Sequence, residues 1–296
     1  MALAIGILAA IVLITIVATF LVRRYPLELF ELSTRRALKK AGLTRKVLDG
    51  VGYWVPVEDG RPRLSTLVLI HGVNDQAGTW APIVPKLAKN HRLIIPDLPG
   101  HGDSAPASGP LTMQQVLDGF TKIVAAETGD EPIVLAGNSM GGWVALLYTI
   151  EHPQKVKQLI LEDASGMTWP IGKLPLVPKT RDEAAVGMRA VFGAHTPLPP
   201  NYVLDAMVRR ARSNQMLRML QAKAAPMFVD NDLASIKAPV TMICGDSDGL
   251  LPVDYAKAMQ SRMANAKLHV IERCGHIPHR QKPEQFASLL QEALGV

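Results

Sequence analysis

Two cysteines in 296 residues, Cys244 and Cys274, are too few to form a disulfide framework. Each lies a few residues before a loop rich in polar side chains, on apolar runs that read as neighbouring strands. A single bridge is geometrically imaginable, yet the last turns of core strands usually hold free, buried thiols. Metal-ligand spacing is missing as well. His276 and His279 stand close together, but no H-E-x-x-H surrounds them and no third ligand is near, which argues against zinc. The chain also has no internal repeat and no low-complexity tract. Its excess positive charge is absent from most of its length. The net charge is +6, and Arg23, Arg24, Arg35, Arg36, Lys39, Lys40, Arg45 and Lys46 against Glu28 and Glu31 supply all of it. Residues 47–296 therefore sum to zero. A domain without basic excess has little to offer phosphates, so nucleic acid is excluded as a partner.

Charge of either sign is absent from Leu3 to Val22, where only Gly6, Thr15 and Thr19 are less than strongly apolar. As a helix this run reaches about 30 Å, the hydrocarbon thickness of a bilayer. A cleavable signal peptide would carry a basic n-region, a shorter apolar core and a small-residue cleavage site. Here no Lys or Arg precedes the run, and Arg23-Arg24-Tyr25-Pro26 follows it directly. The expectation is an uncleaved transmembrane anchor over 1–24, in contact with the bilayer through residues 3–22. Positive charge beside an anchor stays in the cytoplasm, and all of it lies on the C-terminal side. That predicts a single-pass protein whose folded domain, after the anchor, lies on the cytoplasmic side. In the basic juxtamembrane segment 25–46, Leu27, Phe30, Ala37, Leu38 and Ala41 fall near helical spacing. Two readings stand side by side: a helix lying on the membrane surface among anionic headgroups, or an ordinary solvated helix before the first strand.

The remaining 250 or so residues suit one α/β domain with an insertion. Apolar runs at 67–70, 93–95, 133–136, 159–161, 240–243 and 268–271 alternate with helix-like stretches near 79–90, 112–126 and 140–151. That order predicts a mostly parallel sheet with helices on both faces, with Val51 to Val57 adding an edge strand. The expected division is 47–166 as the first part of the core, 167–236 as a helical cap and 237–296 as the second part. A chain starting near Val47 would then fold. In the cap, proline gives way to a helical pattern with Val203, Met207, Met216, Met219 and Leu220. These methionines can repack around flexible ligands, though filling the cap's own core is the more ordinary role for most of them. Arg209, Arg210 and Arg212 read as a solvated face.

Chemistry enters at Gly137-Asn138-Ser139-Met140-Gly141, between the run Ile133 to Ala136 and the helical stretch from Trp143. A G-x-S-x-G between strand and helix is a nucleophile elbow: the sharp turn exposes the serine and its glycines let strand and helix approach. The N–H groups opening the helix favour developing negative charge. A serine needs a base, and the base an orienting acid. Val240 to Cys244 runs into Gly245-Asp246-Ser247-Asp248, and Leu268 to Ile271 leads through Cys274 to Gly275-His276. Acid and imidazole thus both sit past strand C-termini, where open α/β sheets gather their sites. Asp163, after Leu159-Ile160-Leu161, is a further acid candidate, equally explained with Glu162 as strand-end polarity. His71 reads as ordering its own loop through hydrogen bonds, His101 as part of a glycine-flanked turn, and His91, His152 and His195 as surface residues.

Five motifs in this order resemble the α/β-hydrolase-fold serine hydrolases over nearly everything after residue 50. They are His71-Gly72; Asp97-Leu98-Pro99-Gly100-His101-Gly102-Asp103-Ser104; Gly137 to Gly142; Gly245 to Asp248 with Leu251-Pro252-Val253; and Cys274 to His279 followed by Lys282-Pro283-Glu284. With the anchor and the Asp163-Ala164-Ser165-Gly166 run, the chain looks most like membrane-anchored monoacylglycerol lipases and related small bacterial lipases. The resemblance implies Ser139 as nucleophile, His276 as base, Asp248 rather than Asp246 as its partner, and the backbone N–H groups of Val73 and Met140 as oxyanion hole. It implies carboxylic ester hydrolysis, with lipid or other small esters as substrate and no cofactor. A carbon–carbon bond hydrolase, a cofactor-free perhydrolase or haloperoxidase, and a membrane-tethered binding protein are the alternative readings.

Overall fold

The computed structural model describes residues 2–58, 60, 62–170 and 174–295. Eight strands form one sheet: β1 Leu43–Leu48, β2 Val51–Pro56, β3 Ser65–Ile70, β4 His91–Pro96, β5 Ile133–Asn138, β6 Val156–Glu162, β7 Val240–Gly245 and β8 Ala266–Ile271. Their order is β1-β2-β4-β3-β5-β6-β7-β8. From β4 to β8 all pairs are parallel, and β1 and β2 join antiparallel at one edge. The helices are α1 Ala2–Arg24, α2 Pro26–Lys40, α3 Val84–Leu87, α4 Met113–Thr128, α5 Met140–Glu151, α6 Arg181–Phe192, α7 Asn201–Ala211, α8 Gln215–Ala222, α9 Val253–Gln260, α10 Pro278–Gln281 and α11 Pro283–Leu294.

The sheet is covered on both sides because its central strands carry unbroken apolar runs, Leu67 to Ile70, Ile133 to Ala136 and Leu159 to Leu161, that would otherwise be exposed on both faces. Alternation sends Val68 and Ile70 to one face, with Phe120, Leu135 and Leu161, and Leu67 and Leu69 to the other, with Trp80, Ile160 and Phe286. Burying each such side chain contributes about 1.5–3 kcal/mol, so the two layers together hold the strand ends in register. Those ends carry the polar loops.

Three expectations change. The core does not begin at residue 47, which falls inside β1; Leu43 is 2% exposed and Leu38, in α2, is fully buried. The hairpin that adds β1 turns on Asp49 and Gly50 at φ 50° and 79°, the positive pair a two-residue type I′ turn needs. Outward Thr44, Arg45 and Lys46 keep this new edge polar. The helix expected near 79–90 is instead a 3₁₀ turn Ala77–Trp80 and the short α3, since Pro82 and Pro85 each lack the N–H a longer helix requires. Third, α2 is neither a free surface helix nor a simply solvated one. Its inner face packs on the core through Leu38, and Arg210 of α7 pairs with Glu28 at 3.3 Å and with Glu31.

Between β6 and β7 lie α6, α7 and α8, capped by Thr180 on the Glu183 N–H and by Asn214 on the Leu217 N–H. Residues 171–173, within the expected cap, lie outside the described residues. At the other end α1 is one continuous helix with its apolar side chains exposed, and Leu3–Arg24, of mean hydropathy 2.9, is long and apolar enough to cross a membrane.

Candidate active site

Ser139 sits at φ 54° and ψ −118°, a region L-residues seldom occupy. The strain persists because the surroundings fix both sides of the residue. Its N–H donates to Glu162 O at 3.0 Å, and its carbonyl accepts from Trp143 N at 3.2 Å and Ser165 N at 3.0 Å. The turn is possible only with hydrogen at two positions. A Cβ on Gly141 would strike the carbonyls of Ile70 and His71, and one on Gly137 would strike Gly141 O. Strand and helix thus approach as closely as the glycine spacing implied, and Met140 opens α5 directly after the serine, where helix N–H groups have no internal acceptor.

The loops after β7 and β8 bring Asp248 and His276 together. Asp248 Oδ2 lies 2.7 Å from His276 Nδ1, and both side chains are nearly excluded from water. The other carboxylate oxygen accepts from Leu250 N at 2.7 Å and Leu251 N at 3.1 Å, which leaves Oδ2 for the imidazole. Asp246 is exposed and accepts instead from Ser247 Oγ and Cys274 N. Asn138 joins elbow and histidine loop, donating from Nδ2 to His276 O at 2.9 Å.

His71 orders its loop as expected. Leu98 N donates to its Nε2 at 2.9 Å, so Nδ1 carries the proton and donates to Gly72 O at 2.7 Å. Val73 follows on the same loop, and the cap is tied to it through Met216 N, which donates to Asn74 Oδ1 at 2.9 Å. His91 is not a surface residue: it is 1% exposed, with Nδ1 2.9 Å from Ser65 Oγ. Burial lowers the pKa of His71 and of His91, and it takes His101 down to about 3, helped by the nearby charge His71 would carry. A depressed histidine pKa means that the unfolded chain binds protons the native state refuses. Stability from these three is present above about pH 6.5 and is lost as pH falls below it. Calorimetry is expected to show the melting temperature dropping by several degrees between about pH 7 and pH 5; a flat or rising value would contradict this burial account.

Four features escaped the sequence reading. Glu162 and Asp163 are not strand-end polarity; both are buried, at 0% and 3% exposure. Glu162 accepts from His279 N at 2.6 Å and meets its Nδ1 at 2.7 Å, while His279 Nε2 lies 2.8 Å from Thr79 Oγ1. His279 therefore braces the histidine loop against β6 rather than pairing with His276. Arg218 of α8 is buried and donates to the carbonyls of Gly109, Gly100, Pro106 and Ser108, pinning the cap to the loop after β4. Nor is Arg210 merely solvated, given its pairs with α2. Cys244 and Cys274 are both free and buried.

The Asp163, Asp248 and His276 ligand atoms lie within 4.8 Å of one another, close enough to suggest a cation site. Their lone pairs are already engaged: Asp248 by His276 and two N–H groups, Asp163 by Gly245 N at 3.2 Å. The set fits a hydrogen-bonded cluster better than an ion.

Ser139 and His276 face one cavity of about 680 Å³ whose lining is mainly apolar. Its walls come from Val73 on the loop after β3, from Met188, Val203, Met207 and Met216 of the cap, and from Leu27 and Phe30 of α2, with Val22 of α1 at the rim. Met207 and Met216 thus line the cavity rather than the cap's own core, Met219 packs on the main core and Leu220 is exposed. Arg280 of α10 stacks over the Phe30 ring at 4.7 Å, linking α2 to the histidine loop.

Residues 67–289 match the alpha/beta hydrolase family. The crystal structure of a membrane phospholipase A, described as a bacterial virulence factor, superposes with a TM-score of 0.78 at 26% identity, covering 98% of each chain. A human monoacylglycerol lipase is 24% identical over 259 residues, 79% of this chain and 77% of that one. The 2-hydroxymuconate semialdehyde hydrolase of a Pseudomonas species is 28% identical over 260 residues, 77% of this chain and 86% of its own. With the parallel sheet, the serine on its strained turn and a match over three-quarters of the chain, the protein belongs to the alpha/beta hydrolase family, as a serine hydrolase.

Proposed function

We propose that this chain is a membrane-anchored carboxylic ester hydrolase acting on lipid esters such as monoacylglycerols. Ser139 is the nucleophile, His276 the general base and Asp248 the group that orients it. His276 Nδ1–H donates to Asp248, which leaves Nε2 to take the Ser139 proton as the hydroxyl oxygen attacks the ester carbonyl. The carbonyl oxygen gains charge between the N–H groups of Val73 and Met140; one such donor contributes about 3 kcal/mol to the transition state. Protonated His276 then gives its proton to the departing alcohol, and water repeats the sequence on the acyl-enzyme. No step needs a cofactor.

The observation that carries the lipid reading is the composition of the cavity wall. Beside the cap, Val22 of α1 and Pro26, Leu27, Leu29 and Phe30 of α2 form part of it, so the cavity over Ser139 lies beside the helix that would leave the bilayer. An acyl chain could pass from the membrane to the serine along apolar surface. The membrane phospholipase A and the monoacylglycerol lipase among the relatives support the same substrate class. In this proposal the domain lies on the cytoplasmic side, a reading supported by the basic residues that follow α1.

A panel of esters and monoacylglycerols of increasing chain length, with detergent-solubilised protein, tests the reading. Val203→Ala and Met207→Ala should penalise long chains more than short ones, by about 0.8 kcal/mol, or roughly fourfold, per methylene no longer buried. A chain beginning at Tyr25 should keep its kcat on short soluble esters within about twofold, while turnover of glycerides in vesicles falls by about tenfold or more as tethering is lost. A chain beginning at Val47 should not fold properly, because it lacks Leu38, Leu43 and the partners of Arg210. Equal effects on short and long esters would instead indicate a general small-ester hydrolase. Turnover of a carbon–carbon substrate, or dependence on peroxide, would favour the corresponding alternative chemistries.

A further inference from the structure

Asp163 takes no part in the acyl-transfer steps, yet its carboxyl group is buried beside them. It follows β6 directly at φ 38°, a positive value that a non-glycine residue holds only under constraint. Both of its oxygens face Gly245 N, at 3.2 and 3.3 Å, and its carboxyl lies within 4.8 Å of the Asp248 carboxyl and of a His276 ring nitrogen. Two carboxylates this close and this dry cannot both be ionised. Asp248 has the stronger claim on the charge, with two backbone N–H donors on one oxygen and the imidazole on the other, whereas Asp163 has a single N–H. Among the described residues, the titratable groups around Asp163 are Asp248, Glu162, His276 and the thiols of Cys244 and Cys274. Burial, then the charge of Asp248 and then that of Glu162, push its pKa well above the usual carboxylate range.

We infer that Asp163 is a positioning residue for the reaction: in its neutral form its C=O accepts from Gly245 N and its O–H donates to Asp248, holding that carboxylate so that Oδ2 meets His276. The role rests on the assignment of Asp248 and His276 proposed above. It has a chemical signature. An asparagine offers the same pair of groups, a C=O for Gly245 and an N–H for Asp248, and cannot ionise. Alanine offers neither.

The experiment is kcat and KM against pH for the full-length, detergent-solubilised protein and its Asp163→Asn and Asp163→Ala variants on a short soluble ester. Folding is followed by circular dichroism, and the serine is counted with a fluorophosphonate. At neutral pH Asp163→Asn should retain activity within about threefold, and Asp163→Ala should lose about ten- to a hundredfold in kcat with KM nearly unchanged. Because a raised carboxyl pKa keeps the neutral form below that pKa and loses it above, wild-type kcat should decline on the alkaline side. The asparagine variant should lack that decline. Loss in Asp163→Asn as severe as in Asp248→Asn would overturn the inference and make Asp163 an ionised acid. An alkaline decline that persists in Asp163→Asn, or full activity in a folded Asp163→Ala, would overturn it too. Should Asp163→Ala not fold, the asparagine profile alone decides. Wild-type protein in which Ser139 takes no fluorophosphonate would refute the mechanism itself, separately from any behaviour of Asp163.

Discussion

Ser139→Ala is expected to lower kcat for a short ester by about 10⁴-fold or more, and His276→Ala by a similar factor, with the double variant scarcely worse than either. In the proposed mechanism nucleophile and base act as a unit: without the imidazole the hydroxyl keeps its proton, and without the hydroxyl the imidazole has nothing to activate. What remains is the contribution of binding and of the oxyanion N–H groups, which neither substitution removes. Ser139→Ala should also be structurally mild. The small residue still fits, and the positive φ of the elbow is held by the Glu162 O and Ser165 N contacts, which belong to the backbone and survive the change. A melting temperature close to that of the wild type, together with the lost turnover, would separate chemistry from folding. Additive losses in the double variant would contradict the unit.

Asp248→Asn should be the next most damaging single change, at about 10³- to 10⁴-fold in kcat. The amide can keep Leu250 N and Leu251 N satisfied through its oxygen, so the loop should survive. Its NH₂ then faces His276 Nδ1 and selects the tautomer with the proton on Nε2, which cannot accept from Ser139. Asp246→Asn should cost far less, because that carboxylate is exposed and holds Ser247 Oγ and Cys274 N rather than the imidazole. Steady-state kinetics of the two variants on one ester are the check, and the reverse ranking would reassign the acid.

Much of this site was legible before any coordinates, because its parts are encoded locally. The elbow shows in the five consecutive residues Gly137 to Gly141, although the backbone that Gly141 must clear, at Ile70 and His71, is distant in sequence, and the aspartate and histidine each follow a strand whose apolar run marks its own end. What stayed hidden depends on contacts between distant segments. Leu27 and Phe30 show helical spacing in the sequence, but only the fold puts them on the cavity wall opposite His276. Arg210 looks like one of three basic residues on a solvated helix until Glu28 and Glu31 are brought across to it. Glu162-Asp163 has the composition of an ordinary strand end; the place of β6 beside β7, with His279 against Glu162 and Gly245 against Asp163, is what buries both. Strand β1 is a different kind of omission, since Asp49-Gly50 between Leu48 and Val51 is a local hairpin signal that was available in the residues themselves.

The cavity that Ser139 and His276 face also changes what the N-terminal segment means. An anchor that only tethered the domain could be removed with everything before the first apolar strand. Here Leu38 lies in the core, Phe30 touches Arg280 beside the histidine loop, and Arg210 joins cap to α2, so the segment after α1 is part of the folded domain. Tethering and substrate access would then be consequences of one arrangement, with α1 setting the position of the cavity mouth relative to the bilayer.

The most direct test of the account is the site of covalent capture. Detergent-solubilised full-length protein is treated with an alkyl fluorophosphonate, digested, and the adduct located by peptide mass spectrometry. The expected result is one adduct per chain, on Ser139 of the Gly137 to Gly142 segment, formed in parallel with loss of esterase activity and absent from Ser139→Ala. Adduct on another residue, or esterase activity that survives full modification of Ser139, would contradict it.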